Sequence, residues 1–219
     1  MNANTTARVV GVLFLVATVS YASGTQLIQS LHPDRIRVVL GALLVLVDAA
    51  AVVGIAVALF PILKRHNESI ALGYVAFRII EATLLVVGVL GPLALMSSSP
   101  ESRAVHALAS QSNYWAYQLA MALLGVCGLM LCIQLSQTRL VPRWLSFLGL
   151  VGYPVLSAGA VLDMLGIVDT LHGAGMALLV PGGLFEIVLP VWLIVKGFGP
   201  FASTSSAEVG PEEPGYIQA

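Results

Sequence analysis

Charged residues are scarce in this chain. Of its 219 residues, 10% are Asp, Glu, Lys or Arg, whereas 58% are hydrophobic. A soluble domain carries about 25% charged residues, which cover its surface for water. The composition therefore excludes a soluble globular domain and predicts that lipid surrounds most of the chain. The formal net charge of −1 provides no basic excess that would predict a nucleic-acid partner.

Cysteine is almost absent, and the usual chemical motifs are missing. Cys127 and Cys132 are five residues apart, a spacing that places them on different faces of a predicted helix. Neither a disulfide framework nor a metal pair is therefore expected. The sequence contains no phosphate-binding loop, dinucleotide fingerprint, nucleophile elbow or zincin motif. We therefore predict no cofactor.

Long apolar runs dominate the chain instead. A helix needs about 20 mostly apolar residues to span a bilayer, and six segments meet this requirement. They cover approximately residues 7–28, 38–61, 70–96, 113–135, 143–166 and 173–196. The predicted fold is an all-α integral membrane protein, a bundle of six transmembrane helices that forms one domain over residues 1–198.

The two ends of the chain have different compositions. Residues 199–219, "GPFASTSSAEVGPEEPGYIQA", are rich in Gly, Pro, Ser and acid, which predicts a disordered cytoplasmic tail. Near the start, Arg8, an apolar run and "SYA" before Ser23 are similar to a secretory signal with its cleavage site. Because the apolar run is about 20 residues long, we expect a retained first helix.

The distribution of Lys and Arg predicts that both termini are cytoplasmic. This orientation places six basic residues on the cytoplasmic side and three on the other, in agreement with the positive-inside rule. The six are Arg8, Lys64, Arg65, Arg139, Arg143 and Lys196, and the three are Arg35, Arg37 and Arg103. We accordingly expect a multi-pass protein of the cell membrane, with the lipid bilayer as its main partner and a homo-oligomer as a further possibility.

Four charged residues fall deep inside the predicted helices: Asp48, Arg78, Glu81 and Glu186. At a rise of about 1.5 Å per residue, all four lie at a similar middle depth. A charge at the bilayer centre costs at least about 2.5–3.5 kcal/mol, so such residues usually face the bundle interior. The sequence therefore favours a polar site at the midplane. Asp163 lies closer to a helix end, where we expect a solvated carboxylate.

Helical spacing adds two residues to this candidate site. Tyr74, Arg78 and Glu81 recur at intervals of four and three, so Tyr74 and Glu81 can both reach Arg78 along one face. Gln118 lies on a corresponding face of the fourth helix. The predicted ligand-binding set is Arg78, Glu81, Glu186, Asp48, Tyr74 and Gln118. Glu81, Glu186 and Asp48 are also candidates for acid–base chemistry, and no metal ligand is assigned.

The charges in this set do not balance. Arg78 is in effect always protonated and can neutralise one carboxylate, whereas Asp48, Glu81 and Glu186 are three. If all four are buried together, at least one acid holds a proton near neutral pH, or a cation makes up the difference. The alternative is structural, since an ion pair within one helix can simply hold the bundle in register.

The sixth segment is irregular around Glu186. Pro181, Gly182 and Gly183 precede this residue and Pro190 follows it. Proline cannot donate the helical backbone bond, and interrupted membrane helices occur where neighbours, water or a ligand bind the freed carbonyls. Transporters place such helices at binding sites, although a kink filled by packing is an equally simple interpretation.

The histidines do not indicate a metal site. His32, His106 and His172 all fall in connections near acidic residues, on the side opposite to the termini. No pair has the one-turn spacing of a helical metal motif, and solvated loop histidines are far more common. We expect solvated side chains.

Three stretches resemble a bacterial family of multi-pass membrane proteins, domain of unknown function 4386. They are "LKRHNESIALGYVAFRIIEATLLVVG" (63–88), "RLVPRWLSFLGLVG" (139–152) and "EIVLPVWLIVKGF" (186–198). The resemblance implies an all-helical integral membrane protein in which Arg78, Glu81 and Glu186 belong to the shared pattern. It implies no reaction, and Asp48 and Asp163 have no place in that pattern.

Three functions follow as hypotheses from these observations. The first is binding or transport of a small molecule or ion, linked to a proton or a cation, at the midplane site. The second is an intramembrane acid–base enzyme acting on a lipid or isoprenoid substrate, in which a protonated carboxyl is the general acid and Arg78 stabilises negative charge. The third is a structural or partner-binding subunit, which predicts a fully packed core without a pocket.

Overall fold

Helices account for every regular element in the described part of the chain. The computed structural model describes residues 2–30, 34–96 and 103–199, and the side chains from residue 107 onward in the last range. The elements are α1 (Ala3–Ile28), α2 (Arg35–Leu63), α3 (Glu68–Leu95), α4 (Arg103–Thr138), α5 (Arg143–Met164), a 3-10 helix (Gly173–Leu178) and α6 (Val180–Val195). These described ranges contain no strand, so the predicted all-α class is confirmed.

Side-chain caps determine where two of the helices begin. Asp34 precedes α2 and its carboxylate accepts a hydrogen bond from the backbone N–H of Arg37 at 2.8 Å. Asn67 precedes α3 and its side-chain oxygen accepts from the N–H of Ile70 at 3.0 Å. Each cap supplies a partner for an amide group that the first turn of a helix leaves free.

The helices form a closed ring in sequence order. Each helix packs extensively on the next one along the chain, from α1 to α6, and α6 returns to pack on α1. The closing contact is tight, because a Cβ atom at Gly11 would lie 2.8 Å from the carbonyl oxygen of Pro190. A ring of this kind encloses an interior to which all six helices contribute.

Six helical elements are long and apolar enough to cross a membrane, and they confirm the predicted number of spans. In each spanning window only 28% to 56% of the residues are buried inside the protein. The remaining faces expose large apolar side chains such as Val19, Leu43 and Leu90, which are 63%, 52% and 58% accessible. A polytopic protein of this composition buries these faces in lipid.

Two elements differ most from their predicted bounds. Helix α4 begins at Arg103, ten residues before the predicted segment 113–135, because the intervening stretch is less apolar but contains three helix-forming Ala residues. The predicted segment 173–196 is divided into the 3-10 helix and α6. Pro181 lies at the start of α6, where a missing N–H costs nothing.

The two ends of the bundle are unlike. At the end where α6 finishes, called here the Lys196 end, a dense apolar core contains Leu59, Leu63, Leu135 and Leu193, each at most 2% exposed. At the opposite end, called the Gln29 end, the buried apolar clusters are smaller. Apolar packing is therefore more extensive at the Lys196 end than at the Gln29 end.

Several predictions fall outside the described residues. These are the disordered tail beyond Gly199, His32, and the side chains of Arg103 and His106. Among the other predicted loop residues, His172 is exposed at the Gln29 end and lies 3.1 Å from Asp169.

Candidate functional site

The ion pair within α3 lies in the interior of the bundle. Arg78 and Glu81 are each 2% exposed, and Nη1 of Arg78 donates to both carboxylate oxygens of Glu81 at 3.1 Å. Cys127 of α4 donates its S–H to Oε2 of Glu81 at 3.5 Å. Glu81 is therefore satisfied by contacts made mainly within its own helix.

Two aromatic rings hold the guanidinium group of Arg78 in place. Its Nε donates to the hydroxyl of Tyr74 at 3.3 Å, one turn earlier on α3. The rings of Tyr74 and Phe14 lie 5.6 and 5.9 Å from the guanidinium carbon, within the range of cation–π attraction. Nη2 of Arg78 has no hydrogen-bond partner among the described residues. One nitrogen of the group is thus left available for a further hydrogen bond.

Asp48 of α2 is buried, and no cationic side chain in the described ranges lies within 4.0 Å of its carboxylate. The residue is 3% exposed, and its Oδ2 has no hydrogen-bond partner among the described residues. An unpaired polar group in a low-dielectric interior lowers stability by on the order of 1–3 kcal/mol. Such an atom in a cavity wall indicates a proton, an ordered water or a ligand.

Glu186 of α6 is held by Tyr153 of α5. The Tyr153 hydroxyl donates to Oε1 of Glu186 at 3.2 Å, and the Tyr153 ring packs edge-to-face on Phe185 with centroids 5.3 Å apart. Tyr153 is fully buried, and α4 makes room for its ring with Gly128, where any Cβ would overlap it. The absence of a side chain on α4 therefore positions the residue that orients Glu186.

One cavity brings these charged residues together. Asp48, Arg78, Glu81 and Glu186 all line an interior space of about 240 Å³, called here the charged cavity. Its other walls are mostly apolar and come from all six helices, with Phe14, Tyr21, Val52, Met121, Leu156 and Gly183 among them. The closed ring of helices thus brings the four charged residues to one space.

A second cavity, called here the Gln29-end cavity, lies between the charged cavity and the Gln29 end. It has a volume of about 270 Å³ and is lined by polar residues including Thr25, Gln29 and Asn113, and by no charged group among the described residues. The two cavities share Tyr21, Leu85 and Tyr117 as wall residues. The rings of Tyr21 and Tyr117, called here the tyrosine pair, are stacked with centroids 6.3 Å apart and an interplanar angle of 11°.

Two predicted site residues do not line the charged cavity. Tyr74 lies behind Arg78, where it positions the guanidinium group. Gln118 is fully buried in α4, and its Nε2 donates to the hydroxyl of Thr170 at 3.3 Å. That threonine belongs to the connection after α5 at the Gln29 end, so Gln118 serves another network.

The second network is centred on Asp163, which is 7% exposed rather than solvated as expected. Its carboxylate accepts hydrogen bonds from the hydroxyl of Tyr114, from the backbone N–H of Thr170 at 2.6 Å and from the Thr170 hydroxyl. The carboxylate is buried because the connection folds back over the end of α5. Asp163 therefore fastens α4, α5 and the following loop to one another.

Sequence reasoning missed the tyrosine pair and the contact between Tyr153 and Glu186. Tyr153 lies on the small-residue face of α5, and this position is the only signal that could have drawn attention to it. Tyr21 and Tyr117 come from helices distant in the sequence, and nothing local predicts that they stack. No group of three or more metal-ligating side chains is found within the described ranges.

Comparisons with known proteins identify a family but no characterised relative. No curated protein and no solved structure matches this chain. A family model described as domain of unknown function, DUF4386, matches residues 5–197, which contain all but the first two residues of the six helices and every wall of the charged cavity. The chain therefore belongs to the DUF4386 family.

Proposed function

We propose that this protein binds a small cation, or protons, in the charged cavity and carries them across the cell membrane. The observation that supports this proposal is that three carboxyl groups and one guanidinium group line a single cavity, where Oδ2 of Asp48 and Nη2 of Arg78 are unpaired. A fully paired structural network would leave neither atom without a partner.

The charge balance favours a cation over an anion. Arg78 is already neutralised by Glu81 through two contacts of 3.1 Å. Glu186 accepts a hydrogen bond from Tyr153, a neutral donor, and Asp48 has no partner for Oδ2 among the described residues. In a low-dielectric site, these two acids need protons or a positively charged ligand. Exchange of one for the other would link ligand binding to proton release.

The shape of the interior supports access from one side. The Gln29-end cavity adjoins the charged cavity at the tyrosine pair, whereas a packed apolar core lies towards the Lys196 end. We take this as a conformation that faces the Gln29 end. The excess of Lys and Arg at the Lys196 end supports a cytoplasmic location for that end, so the cavity would face outward.

The first test is proton and cation flux through Glu186. Purified protein is reconstituted in liposomes with an internal pH dye, and the decay of an imposed pH gradient is followed with sodium or tetramethylammonium outside. Glu186→Gln is expected to abolish the protein-dependent flux, because the neutral amide can neither release a proton nor balance the charge of a cation. Glu68→Gln, an exposed acid at the start of α3, serves as the matched control. Unchanged flux in Glu186→Gln would remove Glu186 from the mechanism.

A second candidate function is acid–base chemistry on a lipid-soluble substrate. The cavity walls include Thr18 and Ala22 of α1 and Leu179, the residue between the 3-10 helix and α6, and Ala22 is exposed. Within the described residues α1 makes no extensive contact with the 3-10 helix, which supports a lateral opening towards lipid between these elements. Glu186 or Asp48 would then protonate the substrate, and Arg78 would stabilise developing negative charge.

Lipid extraction separates the two candidates. Protein purified in a mild detergent is extracted, and retained apolar molecules are identified by mass spectrometry. The variant Gly183→Leu places a side chain in the cavity and serves as the comparison. An enzyme would be favoured if the native chain retained a single isoprenoid or lipid species and Gly183→Leu lost it. Flux without a retained lipid would favour transport.

A further inference from the structure

A further cavity lies at the Lys196 end, remote from the charged cavity. It has a volume of about 390 Å³ and is lined by residues of the α4–α5 turn and by the end of α6. Three cationic residues, Arg139, Arg143 and Lys196, contribute to its wall, and Trp192 forms one side. We call it the basic cavity.

None of its three cations is neutralised within the described residues. All three are exposed, and no carboxylate there lies within 4.0 Å of them. Like charges converging on one concave surface repel one another unless an anion binds between them. The cluster therefore favours an anionic occupant.

The backbone around the basic cavity adds to this preference. Helix α5 begins there at Arg143, its N-cap Pro142 provides no side-chain acceptor, and the first turn contains no acidic residue. The free amide groups and the positive end of the helix dipole thus point to the same place as the cations. Arg139 has a φ of 53°, in the left-handed region where glycine is usual at the end of a helix.

An apolar groove continues from the basic cavity along the membrane-facing side of α5. Arg143 lines both spaces, and Trp144, Phe147 and Leu150 line the groove. Trp144 and Phe147 are 54% and 66% exposed. Ser146 also lines the groove; it is 1% exposed, and its Oγ has no hydrogen-bond partner among the described residues.

We propose that the basic cavity and the adjoining groove bind one anionic phospholipid. Its phosphate lies among Arg139, Arg143 and Lys196, and one acyl chain lies over Trp144 and Phe147. The Ser146 hydroxyl donates to an ester oxygen near the headgroup. Trp144 and Trp192, whose rings meet edge-to-face at 6.1 Å, mark the level of the membrane interface between headgroup and chain.

Charge and apolar length together identify the ligand class. A soluble phosphate would use the three cations and the start of α5 but would gain nothing from the exposed aromatic groove. A zwitterionic lipid would use the groove but would bring its own cation to a site that already has three. Only an anionic lipid fits both spaces, since basic pockets between membrane helices are a known setting for such headgroups.

The test measures stabilisation by defined lipids in detergent. The full chain is melted with added dioleoyl phosphatidylglycerol, with dioleoyl phosphatidylcholine, or with soluble glycerol phosphate. We expect phosphatidylglycerol alone to raise the midpoint of unfolding. Arg139→Gln, Arg143→Gln and Lys196→Gln are each expected to weaken lipid binding about fivefold. Lys64→Gln and Arg65→Gln, which remove exposed cations at the same end outside the cavity, are expected to leave the lipid effect unchanged.

A second measurement covers variants that fail to fold. Native mass spectrometry counts the lipids bound to the native chain and to Phe147→Ala. This variant shortens the groove and changes no charge. The bound lipid is expected to be lost more easily from Phe147→Ala than from the native chain. Equal loss in the Lys64 and Arg65 variants, or equal stabilisation by glycerol phosphate, would overturn the proposal. A chain that ends at Gly199 provides a further comparison. The proposal would also be overturned if the lipid bound this shortened chain but not the full chain, because the acidic residues after Gly199 would then occupy the basic cavity.

Discussion

Arg78 is the residue on which the electrostatics of the interior depend. It supplies the single permanent positive charge in the charged cavity, and two contacts of 3.1 Å commit most of that charge to Glu81. Tyr74 and Phe14 restrict the guanidinium group from the other side. Removal of Arg78 would therefore leave an uncompensated carboxylate in a space that cannot solvate it.

Arg78→Gln is expected to lower the free energy of unfolding by about 3–5 kcal/mol, the usual cost of breaking one partner from a buried ion pair. Reversible unfolding in mixed micelles measures this change. The double variant Arg78→Gln/Glu81→Gln should recover a large part of the loss, because it removes both charges. Arg65→Gln, an exposed arginine, is the control. Equal stability of the single and double variants would contradict the proposed coupling.

Asp163 illustrates a different role for a buried acid. Because Thr170 and Tyr114 both donate to it, Asp163→Ala is expected to cost about 1–3 kcal/mol of stability for the donors left unpaired. Limited proteolysis of the loop after α5 should become faster at the same time. Glu68→Ala, at the exposed start of α3, should change stability by no more than about 1 kcal/mol. An unaltered loop in Asp163→Ala would show that the carboxylate does not fasten it.

At the scale of elements, the packing of α4 on α5 determines the geometry around Glu186. Gly128 of α4 and Gly149 of α5 have no side chain, and a Cβ at either position would overlap the ring of Tyr153 or the sulfur of Cys132 respectively. The two helices approach one another closely for this reason. The position of the Tyr153 hydroxyl is thus fixed by helix spacing.

Gly128→Ala is expected to destabilise the protein by about 1–3 kcal/mol through overpacking, and to impair flux because Tyr153 shifts away from Glu186. Thermal unfolding and the flux assay report the two effects separately. Gly73→Ala in α3 is the matched control, since its Cβ would lie 3.5 Å from the flexible sulfur of Met130. Normal flux in Gly128→Ala would mean that Tyr153 does not orient Glu186.

The elements were largely predictable because apolar length alone defines a membrane span. All six spans were found in the sequence, and the Asn67 and Asp34 caps agree with where α3 and α2 begin. The early start of α4 and the 3-10 helix before α6 were not predictable from apolar length. Both depend on polar or short segments near the membrane surface, where hydropathy no longer distinguishes helix from loop.

At the scale of the whole molecule, the tyrosine pair separates the two cavities along the proposed route. Tyr117→Ala is expected to connect them, because the ring that stacks on Tyr21 is removed. Ala17→Cys, which lines the charged cavity, reports access in a background where Cys127 and Cys132 are replaced by alanine. A membrane-impermeant thiol reagent added at the Gln29 end should label Ala17→Cys severalfold faster in Tyr117→Ala.

Thr25→Ala provides the control for this labelling experiment. Thr25 lines the Gln29-end cavity only, so its removal widens the entrance and leaves the tyrosine pair intact. The labelling rate is expected to stay at the native value. If Tyr117→Ala had no effect either, the pair would not limit access, and the route to the charged cavity would lie elsewhere.

The candidate site was predictable in composition but not in arrangement. Charges stand out against an apolar sequence, so Asp48, Arg78, Glu81 and Glu186 could be chosen from their depth alone, and all four line one cavity. Gln118 could not be placed correctly, because its partner Thr170 lies in a loop whose fold depends on Asp163. Stacking of residues from distant helices likewise depends on the closed ring, which no local pattern encodes.

The intrahelical location of the Arg78–Glu81 pair has a consequence for synthesis. Membrane helices enter the bilayer in the order in which the ribosome makes them, and α3 enters with its own counter-ion already one turn away. It needs no other helix to offset its charge. Glu186 meets Tyr153 only when α6 closes the ring, so a chain arrested before α6 would carry the paired arginine yet lack the acid on which the proposed flux depends.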